Sequence, residues 1–267
     1  MRVRRSNHCA AASGNDERID PPDDARAFGC TVVHILRSTL GGDFVGAYFV
    51  ASIALGGYVK GESDLDILAV CRRPVGRQTR RVAVEELLRA TTDCPARGLE
   101  FTLYRLEVVS SLPDQTDFEI NVNGGPRMPQ SVQSADEQPA FWYVLDRAIA
   151  HRHGIAIAGP PAREVVADVP RAHLLKAMHE SMRWHREHEK ATLYSVLNAC
   201  RAWRFADEDA LGSKLEGAHW ARPRWPMPAL IDAAVVLRSG GQAYLDEGEV
   251  DRFLDHVERR LSRAISA

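Results

Sequence analysis

The feature that most constrains this 267-residue chain is a change of hydrophobic period near residues 155–165. Before it, short apolar runs alternate with polar residues in the two-residue rhythm of strands. FVGAYFVASIA (44–54), LDILAV (65–70), LEFTLYRLEVV (99–109) and DFEINVN (117–123) read as strands, with a helix at 77–92 and another at about 22–41. After the change the apolar residues recur every three or four positions. The last helix is the plainest, with Val250, Phe253, Leu254, Val257, Leu261 and Ile265 on one stripe. AFWYVLDRAIAHRHG (140–154) reads as a helix, and the apolar segment after it stops at Gly159-Pro160-Pro161. The expected architecture is therefore an α/β part with a mixed sheet followed by an all-α bundle: a tail at 1–21, a first domain at 22–160 and a helical domain at 161–267.

Composition excludes several function classes. Thirty-four basic against thirty-six acidic residues leave a net charge of -2, which gives no electrostatic footprint for nucleic acid. The five cysteines are scattered without a C-x-x-C pair, the pattern of free thiols rather than of a zinc site or disulfide framework. No apolar run approaches the roughly 18 residues of a membrane span, and the N-terminus lacks the apolar stretch of a signal peptide. A cytoplasmic monomer without nucleic-acid or membrane partners is expected.

One segment carries chemistry: Ala51-Ser52-Ile53-Ala54-Leu55-Gly56-Gly57, then Ser63-Asp64-Leu65-Asp66. A strand ends near Ser52, the chain turns through glycines, and two acids open the next strand. Alternating side chains put Asp64 and Asp66 on one face, roughly 7 Å apart, with Leu65, Ile67 and Ala69 on the other. Two like charges so placed repel unless a cation lies between them, and a hard divalent ion with oxygen ligands suits the position. In Leu99-Glu100-Phe101-Thr102-Leu103-Tyr104 the apolar residues again take one face, and Glu100 takes the other as a further ligand or a base. The Ser52 hydroxyl and the N–H groups of the glycine turn suit a phosphate chain. Together these parts suit metal-assisted transfer of a nucleotidyl group to a hydroxyl.

The segment resembles the G-S-x(n)-S-D-x-D signature of the DNA polymerase β-like nucleotidyltransferases. In detail it is most similar to the aminoglycoside adenylyltransferases of the streptomycin/spectinomycin 3''-type. Leu99–Thr102 matches the third-carboxylate strand of that group. Leu197–Trp203 and Ser213–Ala221 match the core of its helical domain. The resemblance implies a polymerase β-like fold, ATP as co-substrate and Mg²⁺, two ions, held by Asp64 and Asp66. It implies Glu100 as general base, phosphate contacts from Ser52, Ser63, Arg201 and Lys214, and an aminoglycoside-like cation as acceptor. Glu187 is the candidate acceptor contact. Two departures stand out. Ala51 takes the place of the usual glycine before the serine, and residues 118–126 lack the tryptophan that relatives use against the drug. The same chemistry on another hydroxylated small molecule or on a protein, and a catalytically silent antitoxin or regulator, are the alternative readings. His179, His185 and His188 read as a solvated helix face rather than a metal site.

Overall fold

The computed structural model describes residues 19–111 and 117–267; most of the expected N-terminal tail lies outside them. Helix α1 (Asp23–Leu40) leads into β1 (Phe44–Phe49), which turns at once into the one-turn helix α2 (Ala51–Ala54). Strand β2 (Leu65–Cys71), helix α3 (Arg77–Ala90) and β3 (Leu99–Arg105) form a crossover unit. The short helix α4 (Leu106–Val109), β4 (Phe118–Gly125), β5 (Met128–Val132), α5 (Ala140–His153) and β6 (Ile155–Ala158) complete the sheet-bearing part. Beyond Ala158 the regular elements are helices joined by loops: α6 (Ala162–Val165), α7 (Arg171–His188), α8 (Leu193–Glu208), α9 (Lys214–Ala221), α10 (Pro228–Arg238) and α11 (Glu247–Ser266).

The six strands lie in the order β5-β4-β3-β2-β1-β6. Among the described residues only β2 and β3 pair in parallel; the other pairs are antiparallel. The sheet is mixed, as expected, and the parallel pair needs the crossover that α3 supplies. Two sequence-based strand ends move. The run 44–54 stops being a strand at Phe49 and 99–109 stops at Arg105, each continuing as a helical turn. The apolar segment after α5 is the edge strand β6, which pairs with β1. Strand β5, half exposed along its length, gives no sequence signal because it lacks an apolar face.

Alternation along the strands builds two cores. Ala47, Phe49, Ile67, Ala69, Phe101 and Leu103 pack under α1 and α3 on one face. On the other face Tyr48, Val50, Leu68, Val70 and Tyr104 join α5 and the buried stripes of α7, α8 and α11 in one continuous cluster. The stripe expected on the last helix is buried from Val250 to Leu261. Helices α8 and α9 meet closely: a Cβ on Gly217 would stand 2.7 Å from the Arg201 Cα, so only glycine allows the approach. We propose the boundary between the two halves at 160/161, where the last strand gives way to helix.

Arg147 of α5 is 1% exposed, and its Nη2 donates to the carbonyls of Val108, Val109 and Ser111. These are groups that the end of α4 leaves without helical partners. Arg147→Leu should therefore cost about 2–4 kcal/mol in urea unfolding, since three buried acceptors lose a charged donor. An unchanged midpoint would show that other groups satisfy them.

Candidate active site

Strand register places the acids. Asp66 lies directly beside Glu100 across the parallel β2–β3 pair. Both point to the sheet face opposite the α1/α3 core, as the alternation requires. A cavity of about 450 Å³ opens there, between the sheet and the helical half. Asp64, Asp66 and Glu100 line its sheet wall, while Arg201, Lys214 and Arg238 line its helical wall.

Each wall carries its own electrostatic signature. Burial, and then the neighbouring charges of Glu100, Asp146 and Asp64, push the Asp66 carboxyl well above the usual carboxylate range. Glu100 is raised by burial and by Asp64, and a hydrogen bond from Asp66 offsets part of this. Its exposed surface opens into the cavity, with protein on every side. Asp146, from α5, is a fourth acid that sequence reasoning misses. Burial and Glu100 raise it to about 7. On the opposite wall burial lowers Arg201, which Asp146 partly restores. Burial together with Arg201 and Arg238 brings the Lys214 ammonium down to about 8. An ammonium held down by burial and by two neighbouring guanidinium groups describes a site built for an anion.

The glycine turn joins the walls. The Ser52 hydroxyl is buried in the cavity lining with no hydrogen-bond partner among the described residues. Ser63 is 2% exposed; its Oγ accepts from the Val59 N–H and from Arg238 Nη2, both at 2.9 Å. With both lone pairs engaged, its O–H is left to donate into the site. Arg238 also donates to the Gly57 carbonyl at 3.4 Å, so a helical-half cation is fastened to the turn. Ala51 takes φ +45, a left-handed conformation that L side chains disfavour.

The candidate metal ligands are not yet gathered. Asp64 accepts from Arg97 Nε at 2.8 Å and from Nη2 at 2.6 Å, a two-pronged ion pair that no sequence motif signals. Among the described residues no three His, Cys, Asp or Glu side chains converge into a metal cage. Asp66 and Glu100, raised first by burial and then by neighbouring carboxylates, and the unpartnered Ser52 hydroxyl still fit a divalent ion arriving with phosphate. Magnesium is commonly held by one or two carboxylates, with phosphate oxygens and waters filling the rest.

The remaining wall suits a hydroxylated, cationic molecule. Amides from Asn121, Asn123, Gln133 and Gln138 lie along it, with the rings of Trp142, Tyr143 and Trp184 and the carboxylate of Glu189. Glu187, the candidate acceptor contact, lies elsewhere: it is exposed and lines a separate groove with Arg186, Lys190 and Asp251. A two-residue step at a helix end turns the side chain by about 200°, which moves the acid from the cavity to the outside. The solvated-face reading of the histidines also fails at one position, because His185 is 3% exposed.

The family model for the aminoglycoside adenylyltransferase C-terminal domain matches residues 164–260. An aminoglycoside (3'') (9) adenylyltransferase of Rhizobium radiobacter is 27% identical over 243 residues, covering 86% of this chain and 84% of that protein. The chain is a nucleotidyltransferase enzyme that is similar, along most of its length, to the aminoglycoside adenylyltransferases. A spectinomycin 9-adenylyltransferase of Staphylococcus aureus is 28% identical over 214 residues, covering 75% of this chain and 80% of the relative. In fold the chain superposes on a spectinomycin adenyltransferase from Enterococcus faecialis, solved with ATP and spectinomycin, with a TM-score of 0.68. That match is 18% identical and covers 88% of this chain and 98% of the other. No helix among the described residues is long and apolar enough to cross a membrane.

Two measurements test this geometry. Ala51→Gly should leave stability unchanged or raise it, although the same change in an ordinary helix costs about 1 kcal/mol; a loss of that size in thermal melts would mean Ala51 bears no strain. Lys214 is charged below about pH 8 and loses its charge above. Affinity for a nucleoside triphosphate should therefore fall as pH rises through 8. Lys214→Arg should abolish that fall, and a fall of equal size in the variant would assign it to another group.

Proposed function

We propose that the chain transfers AMP from ATP to a hydroxyl of an aminoglycoside-type antibiotic and releases pyrophosphate. The observation that carries this reading is one cavity with a carboxylate wall facing a cation wall. Such a site binds a polyanion on one side and activates a hydroxyl on the other. The named activities of the relatives support the choice of AMP and of the antibiotic class.

In this reading Arg201, Lys214 and Arg238 hold the triphosphate, and the hydroxyls of Ser52 and Ser63 donate to its oxygens. The orphaned state of Ser52 Oγ and the crowding of the three cations are relieved together when the anion arrives. Asp64 and Asp66 would hold Mg²⁺, two ions in the full site, which would neutralise charge on the triphosphate as it builds during transfer. Glu100 accepts the proton of the acceptor hydroxyl. The freed oxygen bonds to the α-phosphorus, the bond to the bridging oxygen breaks, and pyrophosphate departs with that electron pair. A carboxylate raised above its usual range is a better base at neutral pH than a solvated one, and burial, with Asp64 beside it, supplies the shift. Glu189 and the tryptophan rings give a cationic, polyhydroxylated acceptor its counter-charge and a stacking surface.

Intact acids and a built cation wall favour this enzyme over a silent regulator. Glu100→Gln should keep nucleotide affinity and lower turnover at least about a hundredfold. The measurement is pyrophosphate release across an aminoglycoside panel that starts with spectinomycin and streptomycin. Undiminished release in the variant removes Glu100 from the base role, and no release by the wild type with any member points to a different acceptor.

A further inference from the structure

His185 stands outside the chemistry described above, yet it is the most completely bonded ionisable group of the cavity. It lies in the last turn of α7, 3% exposed, with the rings of Trp142 and Trp184 set edge-on at 5.4 and 5.1 Å. Its Nδ1 is 2.8 Å from Glu189 Oε2. Its Nε2 is 2.8 Å from Nδ2 of Asn198, which is 7% exposed. The Oδ1 of Asn198 lies 3.3 Å from Nη2 of Arg201. A line of hydrogen bonds thus joins the acid of the acceptor wall to a cation of the phosphate wall.

Donor and acceptor roles along this line admit one assignment. A guanidinium only donates, so the Asn198 oxygen must face Arg201 and the amide N–H must face His185. His185 Nε2 is therefore bare and accepts, and its proton sits on Nδ1, donated to Glu189. The bridge exists only while the imidazole is neutral. A second proton on Nε2 would oppose the Asn198 amide donor, turn the amide over and leave Arg201 without its acceptor.

We propose that His185 is a positioning residue that ties the acceptor subsite to the nucleotide clamp: as a neutral bridge it fixes Arg201 through Asn198, and an acceptor cation docked on Glu189 holds it neutral. The second half follows from charge. The bare Glu189 carboxylate favours a protonated His185, whereas a cation placed against Glu189 cancels that pull. The other charges acting on the ring, Arg201 from α8 and Lys214 from α9, oppose protonation, as does burial. From α5 the ring meets Trp142. Acceptor binding therefore strengthens nucleotide binding, and by linkage the nucleotide strengthens acceptor binding to the same degree.

This proposal rests on the nucleotide site proposed above, so its test reads binding rather than turnover. Affinity for Mg²⁺ with a non-hydrolysable ATP analogue is measured by calorimetry on the full chain at pH 7.5 and 5.5. His185→Gln places an amide oxygen near the Nε2 position and should bind within about twofold of wild type at pH 7.5. His185→Asn keeps only the arm to Glu189, and it and His185→Phe should bind about tenfold more weakly, the loss expected when a bond that orients a charged group goes. Between the two pH values wild type should lose about fivefold more affinity than His185→Gln. Glu189→Gln, which cannot favour the protonated ring, should lose less than wild type. Should His185→Phe fail to fold, the Gln and Asn variants decide the matter. Equal affinities of those two at pH 7.5, or a pH loss in His185→Gln as large as in wild type, would overturn the bridge. A wild type that binds no nucleotide overturns the bridge and the proposed function together. Intact binding that ignores His185 overturns the bridge alone.

Discussion

Two groups of like charges, each crowded within the protein and turned toward a cavity, face one another across a single gap. Separately either wall would be costly, since desolvated charges of one sign repel and shift toward their neutral forms. The shifts are visible on both sides: Asp66, Glu100 and Asp146 are raised, and Lys214 and Arg201 are lowered. Coulombic attraction between the walls offsets part of the cost, as the Asp146 and Arg201 charges do for each other. The remainder makes the cavity receptive to a ligand that is itself a polyanion with a cation, because such a ligand satisfies both walls at once. Stability surrendered in the empty site becomes affinity for the filled one.

How far the site can be read from the residues depends on which element carries them. On strands the period of two is strict, so alternation alone assigns Asp64, Asp66 and Glu100 to one face. The parallel register then sets Asp66 beside Glu100. On helices the facing direction is fixed by packing against other elements. Arg201 and Lys214 are therefore nameable only through resemblance to a family, and Asp146, Arg238 and Glu189 carry no signal of their own. Glu187 and Glu189 make the point sharply, since chemically identical residues two apart end on different surfaces. Arg97 illustrates another limit: it precedes β3 in a loop, and the backbone bond from its N–H to the Ser63 carbonyl brings it to Asp64. Nothing local in the sequence announces that long-range contact.

The fold is legible to a similar degree. Long amphipathic helices and the two central strands, each with one fully buried apolar face, carry strong periodic signals. The edges of the sheet do not: β5 has no apolar face, and β6 is four residues long. The helical turns that follow β1 and β3 continue apolar runs without a glycine or proline to mark the change, so the strands read longer than they are.

The second face of the sheet shares one uninterrupted core with the helical half. Tyr48, Leu68 and Tyr104 of the strands sit in the same apolar cluster as Leu197 of α8 and Phe253 of α11. Halves welded in this way have no lubricated joint on which to swing apart. Traffic through the gap then depends on side chains that rim it rather than on whole lobes parting, and a truncated form carrying either half alone would expose a broad greasy surface and seek another partner to cover it.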